Sequence, residues 1–200
     1  MSDHYFSASP QSNLREIDVE LALGGLVHRF IAPSGIFSPG GVDRGTKVLL
    51  ETVPSPTGRT VVDLGCGWGP LALTMAFLNP EATVWAVDVN ERAREAMKKN
   101  AERLGVGSIQ TVSPDQFPID QEIDTLWSNP PIRIGKQALR TLLETWLNRL
   151  TPSGEAWLVV AKQLGADSLQ RWLNDGSAGA FQCERVATSK GFRVLRVTRA

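Results

Sequence analysis

Cysteine is nearly absent from this chain: Cys66 and Cys183 are the only two. Their spacing fits no metal site, so no metal is expected, and two thiols cannot build the disulfide framework of a small secreted scaffold. An excess of charge is missing as well. The 21 basic residues are matched by 21 acidic ones, well short of the basic footprint of a free-standing nucleic-acid binder. Runs of eighteen or more apolar residues, a signal-peptide pattern and internal repeats are also lacking, which leads to the expectation of a cytoplasmic protein with no membrane partner. What is present is ordinary globular composition. At 42% hydrophobic and 21% charged, 200 residues suffice for one α/β core in a single domain spanning 1–200.

Against that plain background one stretch stands out, Val61-Val62-Asp63-Leu64-Gly65-Cys66-Gly67-Trp68-Gly69. Residues 59–64 form a short apolar, β-branched run, and residues 71–78 are helix formers, so the glycines lie where a strand hands over to a helix. Gly65 and Gly67 let the backbone take positive φ and let a ligand approach without meeting a Cβ. Cys66 reads as a small residue in that tight turn. A second apolar strand, 83–87, ends at Asp88, 23 residues after Gly65, followed by Val89. A carboxylate about 20 residues beyond such a turn is placed to hold the ribose hydroxyls of a nucleoside. A dinucleotide-binding turn would carry a third glycine where this chain has Pro70. Asp63 would also set a negative charge near a pyrophosphate, yet it suits the ammonium of a bound amino acid. S-adenosylmethionine is therefore favoured over NAD.

The second informative stretch is Ser128-Asn129-Pro130-Pro131, after an apolar strand at 123–127. An exocyclic amine conjugated to a purine is a poor nucleophile while its lone pair is delocalised into the ring. Acceptors aimed at its hydrogens, the Asn129 side-chain oxygen and the Pro130 carbonyl, favour the pyramidal nitrogen and align its lone pair with an incoming methyl group. A sulfonium needs no strong base, and the only histidines, His4 and His28, are remote in sequence from both motifs. Asn-Pro-Pro after a strand also reads as a plain turn; its pairing with the upstream glycine motif favours the chemical reading.

Asp63-Leu64-Gly65-Cys66-Gly67-Trp68-Gly69, Ala86-Val87-Asp88-Val89-Asn90 and Ser128-Asn129-Pro130-Pro131 together resemble the class I S-adenosylmethionine-dependent methyltransferases. Within them the chain is similar to the small methyltransferase domain of the ribosomal RNA small subunit methyltransferase C family. Further matches are His4-Tyr5-Phe6-Ser7, Gly35-Ile36-Phe37-Ser38, Asp43-Arg44-Gly45-Thr46 and Pro130-Pro131-Ile132-Arg133-Ile134-Gly135-Lys136. The likeness covers nearly the whole chain. It departs from the large two-domain members, which carry a second half and an aromatic residue where this chain has Ile132, and it looks like the single-domain bacterial form. The resemblance implies Asn129, Pro130 and Pro131 as catalytic residues. It implies cofactor contacts from Asp63, Gly65, Cys66, Gly67, Asp88, Val89, Asp115 and Asn129, with Asp115 on the adenine amine and Phe117 lining the ring. Phe37, Arg133 and Lys136 would meet the substrate, and Phe37, Asp43 and Thr46 would form a wall and helix start near the cofactor. From the residues alone, Asp43 or Thr46 is equally a helix cap and Asp115 equally a solvated turn residue.

Alternation of strands and helices predicts a doubly wound, mostly parallel sheet buried on both faces. Residues 91–104 and 137–150 read as helices, 108–112 and 156–161 as strands, and 151–154 as a turn. A hairpin joins 181–188 to 192–198. With a final antiparallel strand pair, the resemblance implies a Rossmann-like, seven-stranded fold with helices on both faces. Residues 1–58, broken by prolines and glycines, read equally as a β-rich cover over the catalytic core at 59–200 or as a substrate-contacting segment. Arg185, Lys190, Arg193, Arg196 and Arg199, with no acid among residues 185–200, are either a solvated strand edge or an RNA contact. The function expected is N-methylation of a guanine exocyclic N2 in ribosomal RNA, with free RNA or the small subunit as partner. The alternatives are an adenine amine or a protein glutamine amide as acceptor, or a non-catalytic cofactor-binding module for RNA assembly.

Overall fold

The computed structural model describes residues 14–20, 27–33 and 41–200. Strands β1 (Leu14–Glu20) and β2 (Val27–Pro33) pair antiparallel as a small sheet of their own, and helix α1 (Arg44–Leu50) follows. The main body then runs β3 (Thr60–Leu64), α2 (Pro70–Leu78), β4 (Thr83–Val87), α3 (Glu91–Leu104), β5 (Ile109–Val112) and β6 (Ile123–Ser128). It continues through α4 (Lys136–Leu147), β7 (Leu150–Ala161), α5 (Ala166–Asn174), β8 (Phe181–Ser189) and β9 (Phe192–Arg199). The seven-stranded sheet has the order β5-β4-β3-β6-β7-β9-β8, with β9 antiparallel to both neighbours and all other pairings parallel.

The parallel strands read as apolar runs because both their faces are covered. In β3, Val61 packs with Leu73, Met75 and Met97 from α2 and α3, while its neighbour Val62 packs on the opposite face with Leu143 and Leu147 from α4. The chain leaves β3 outward through β4 and β5, then returns to place β6 on the other side of β3. That reversal opens a crevice at the carboxyl ends of β3 and β6, the place where ligands bind open α/β sheets. Both motifs arrive there.

Local chemistry sets the element ends. Asn90 caps α3 by accepting from the Arg92 and Ala93 N–H groups, and Gly105 closes it in the left-handed conformation. Gly69, at φ 105°, starts α2; a Cβ there would collide with the Met97 sulfur. Buried Asn100 ties three parts together. Its Oδ1 accepts from Ile31 N–H at 2.7 Å, and its Nδ2 donates to the carbonyls of Ile31 and Trp68, both at 2.9 Å.

Two expectations are corrected. Helix α4 ends at Leu147, three residues early, because residues 151–154 belong to β7. Pairing with β6 breaks after Ile123↔Leu150 and resumes at Thr125↔Glu155, so the supposed turn is a bulge within a strand. Helix α5 was not anticipated. It is short and starts at Gly165 without a side-chain cap, although buried Ala166, Leu169, Trp172 and Leu173 carry its helical period. Within the cover segment, α1 begins at the helix start expected around Asp43 and Thr46 and touches β7 and β9, while β2 packs on α3. Among the described residues no helix is long and apolar enough to cross a membrane.

Candidate active site

A cavity of about 300 Å³ fills the crevice, walled by the glycine turn, Asp88, the Asn129-Pro130-Pro131 segment and the carboxyl end of β7. Every residue of the two sequence motifs that was singled out for the site, namely Asp63, Gly65, Cys66, Gly67, Asp88, Val89, Asn129, Pro130 and Pro131, lines it. The turn is built as the glycines require. Gly65 and Gly67 sit at φ 82° and 56°, and the Gly65 and Cys66 N–H groups both donate to the Val87 carbonyl. Nothing lies within 4 Å of where a Gly65 Cβ would stand. Glycine is needed there for its φ, not to relieve crowding within the chain.

The two acidic residues on this wall differ. Asp88 accepts from Gly67 N–H at 2.9 Å through Oδ2 and from Asn90 N–H at 2.8 Å through Oδ1, so its plane is locked by the backbone. Asp63 is almost wholly buried. Its Oδ2 accepts from Ala72 N–H at 2.9 Å, and its Oδ1 has no partner within the protein. Burial pushes the Asp63 carboxyl up to about 8, with the Ala72 hydrogen bond opposing and the Asp88 charge adding. A buried carboxylate oxygen lacking a donor at the wall of a cavity fits a cationic group supplied by a ligand. Cys66 is no nucleophile: burial first, then the Asp88 and Asp63 carboxylates, push its thiol well above the ordinary value.

Asn129 follows β6, the strand paired with β3, and is held by Asp43 and Thr46, which line the cavity with it. Its Nδ2 donates to Asp43 Oδ2 at 2.7 Å and to Thr46 Oγ1 at 3.1 Å. Because a carboxylate only accepts, this contact settles which end of the amide is nitrogen and turns Oδ1 the other way. The Pro130 carbonyl already accepts from Ile132 N–H at 2.8 Å, which leaves one lone pair for a ligand.

Several expected residues sit elsewhere. Arg133 lines the cavity, whereas Lys136 lines a neighbouring hollow of about 150 Å³ with Arg140 and Ser168, joined to the first through Ile132 and Leu164. Asp115 is exposed on a single 3-10 turn whose Pro114 reaches the wall while Asp115 does not; the Ser113 hydroxyl holds its carboxyl below the usual range. Phe117 does not line the cavity. It is buried between Trp85 and Trp146, with ring centroids 5.1 and 5.0 Å away. Trp68 is a buried part of the wall against Phe30, and Trp127 lies in the core. Phe37 and the matches at 4–7 and 35–38 lie outside the described residues.

The C-terminal basic set is engaged by the chain itself. Arg196 pairs with Glu155 at 2.7 Å and Glu184 at 3.1 Å, Arg193 with Asp167 at 3.2 Å, and Lys190 with Glu51 at 3.0 Å. Arg199 donates to the Asn148 carbonyl. Sequence reasoning missed Gln163 and Phe192, which the ends of β7 and β9 bring to the cavity. No local signal marks them, because a seven-strand topology is needed to place them beside residues 63 and 129.

Fold and site define the Rossmann-like methyltransferase architecture. A T. thermophilus 16S rRNA N2 G1207 methyltransferase, solved in complex with AdoMet and guanosine, superposes with a TM-score of 0.74 at 22% identity over 96% of this chain and 52% of that one. A ribosomal protein L11 methylase from Lactobacillus delbrueckii matches at 0.61 and 20% identity, over 80% of this chain and 84% of its own. The family model for the methyltransferase small domain matches residues 28–196, and the chain belongs to that family. It is 34% identical over 172 residues to an uncharacterized Bacillus subtilis protein, YbxB, covering 84% of this chain and 86% of that one. It is 33% identical to the ribosomal RNA small subunit methyltransferase C of Pseudomonas entomophila, over 98% of this chain but only 58% of the relative's length.

Proposed function

We propose that the chain is an S-adenosylmethionine-dependent N-methyltransferase acting on the exocyclic N2 of a guanine in small-subunit ribosomal RNA. The observation that carries the reading is one cavity lined by both kinds of group: an unmatched buried carboxylate oxygen at Asp63 with Asp88, and the oriented Asn129 amide. Asp63 would take the ammonium of the cofactor's amino acid, Asp88 its ribose hydroxyls, and the Gly65-Cys66-Gly67 backbone would lie against it. Val89, half exposed at the rim, and Pro114 would flank the adenine. Bound there, S-adenosylmethionine supplies a methyl group on a sulfonium that departs as a neutral thioether.

The remaining work falls to the Asn129 segment. Its Oδ1 and the second lone pair of the Pro130 carbonyl accept the two hydrogens of the guanine amine, which holds the nitrogen lone pair out of the ring and toward the methyl. Pro131 stiffens the loop that aims both acceptors. As the N–C bond forms the nitrogen gives up one proton to solvent, so no buried base is required. Arg133 at the cavity mouth, and Lys136 beside it, would meet phosphate.

The pairing of most C-terminal arginines within the chain, on top of zero net charge, argues for a target recognised by shape rather than by non-specific attraction. Purified protein with methyl-labelled cofactor should therefore modify small ribosomal subunits, whole or partly assembled, far better than protein-free transcript. Nucleoside mass spectrometry should find N2-methylguanosine. N6-methyladenosine, or label only in protein, overturns the guanine assignment; no transfer to any cellular fraction overturns the enzyme.

A further inference from the structure

We propose that Asp43 is a positioning residue that holds the Asn129 amide with its oxygen facing the cavity and, through its charge, makes that oxygen a stronger acceptor. The inference rests on Asn129 as the residue that receives the acceptor amine. One oxygen of Asp43 does three things at once. Its Oδ2 accepts from Gly45 N–H at 2.9 Å and Thr46 N–H at 3.2 Å, capping α1, and from Asn129 Nδ2 at 2.7 Å. The distance to Asn129 is that of a charge-assisted bond, and it links residues 86 positions apart. Thr46 adds a second acceptor at 3.1 Å, so both amide hydrogens of Asn129 have partners on α1.

Two consequences follow from the chemistry of an amide. Rotating Asn129 by half a turn would set its oxygen against a carboxylate, so the productive orientation is enforced and not merely available. A carboxylate on the N–H side also polarises the conjugated group toward oxygen, where the hydrogens of a nitrogen gaining positive charge are to be accepted. Packing around the contact is tight. A Cβ on Gly45 would stand 3.0 Å from Asp43 Oδ2, 3.0 Å from the Phe192 ring and 3.3 Å from Asn129 Nδ2. Gly45 thus keeps the space in which the two polar groups meet.

The variants separate capping from positioning. Asp43→Asn retains an oxygen for the α1 N–H groups and loses only the charge; methyl transfer should fall about tenfold, the scale of exchanging a charge-assisted for a neutral bond. Asp43→Ala should approach the loss of Asn129→Ala, roughly a hundredfold, and the double variant should be no slower than Asn129→Ala alone. Gly45→Ala should slow transfer with all polar groups kept. Cofactor affinity by calorimetry should stay within about twofold of wild type in each, which a collapse of the fold would not permit. Transfer by Asp43→Ala at the wild-type rate, or losses that add in the double variant, overturns the proposal. A second readout is independent of turnover: the Asn129 side-chain amide protons, identified in the nitrogen-15 NMR spectrum by their loss in Asn129→Ala, should shift and exchange faster in Asp43→Asn. An unmoved signal overturns the positioning, while an inactive wild type with a shifted signal overturns only the enzymatic reading.

Discussion

Replacing Asp63 by asparagine should strengthen the empty protein and cripple it as a cofactor binder. The substitution keeps an oxygen for the Ala72 N–H and removes the ionisation. In the folded chain burial, and to a lesser degree the Asp88 charge, hold the carboxyl at about 8 against the usual 3.8. Between these values the native state keeps a proton that the unfolded chain releases, so this residue's contribution to stability falls as pH rises through that window and is constant outside it. Each pH unit in the window costs about 1.4 kcal/mol, which amounts to about 4 kcal/mol by pH 7 and about 6 above pH 8. The asparagine variant escapes that cost. Its spare N–H is a buried unmatched donor costing about 1 to 3 kcal/mol, but that term does not vary with pH. Thermal unfolding of ligand-free protein should show the gap, variant minus wild type, flat below pH 4 and widening by roughly 10 to 20 °C between pH 4 and 8, at about 2 to 4 °C per kcal/mol for a chain of this size. A gap independent of pH would refute the reasoning. Calorimetry should show affinity for S-adenosylmethionine falling ten- to a hundredfold in the variant, as one charge-assisted contact is lost. Wild-type binding near pH 7 should release a proton, seen as a heat that changes with the buffer.

Asp88→Ala should weaken cofactor binding at least tenfold, since it removes the ribose acceptor and frees the Gly67 N–H that shapes the turn; equal affinity by calorimetry would return Asp88 to a purely structural role. Asn129→Ala should behave in the opposite way, with cofactor affinity nearly unchanged and single-turnover transfer down by about two orders of magnitude. Unaltered turnover would make Asn129 a turn residue. Arg133→Glu should slow transfer to ribosomal particles without touching cofactor affinity, because it reverses charge at the cavity mouth where phosphate must pass. A loss of cofactor binding in that variant would place Arg133 on the wrong side of the cavity.

The convergence of the glycine turn and Asp88 on one cavity was legible in the sequence because it is local. A strand, its glycine turn and the carboxylate at the end of the next strand share one βαβ unit, so spacing along the chain reports position in space, from Asp63 to Asp88. The acceptor half was legible only in part. Asn129 and its prolines announce themselves, but their supports come from α1, more than eighty residues earlier, where Asp43 looks like any helix cap. Gln163 and Phe192 carry no motif at all. Phe117 misled for a related reason: it follows Asp115 in a segment tied to the adenine end by family likeness, yet its neighbours in space, Trp85 and Trp146, draw it into the core. The arginines of β8 and β9 read as a basic run because their acidic partners, Glu155, Asp167 and Glu184, lie on other strands, on a helix or across the hairpin. Sequence counts charges; only the fold pairs them.

Three carboxylates converge on the cavity, and what each lacks indicates what it is for. Asp88 is gripped by two backbone N–H groups, which fixes a plane suited to a pair of neutral hydroxyls and leaves the glycine turn undisturbed when they arrive. Asp63 is held on one side only, and an orphaned oxygen in a desolvated place is a cost that a cation cancels better than any hydroxyl, which under the proposed function would tie cofactor binding to proton release. Asp43 spends its Oδ2 on α1 and Asn129 and acts at one remove. Under the proposed function the arrangement would grade charge by distance from the chemistry: buried and unmatched at the amino-acid end, locked at the ribose, and held behind an amide where the nitrogen reacts. The amide backed by Asp43, acting as proposed, would pull hardest only as charge develops on the nitrogen, which is the differential interaction that lowers a barrier rather than deepening a well.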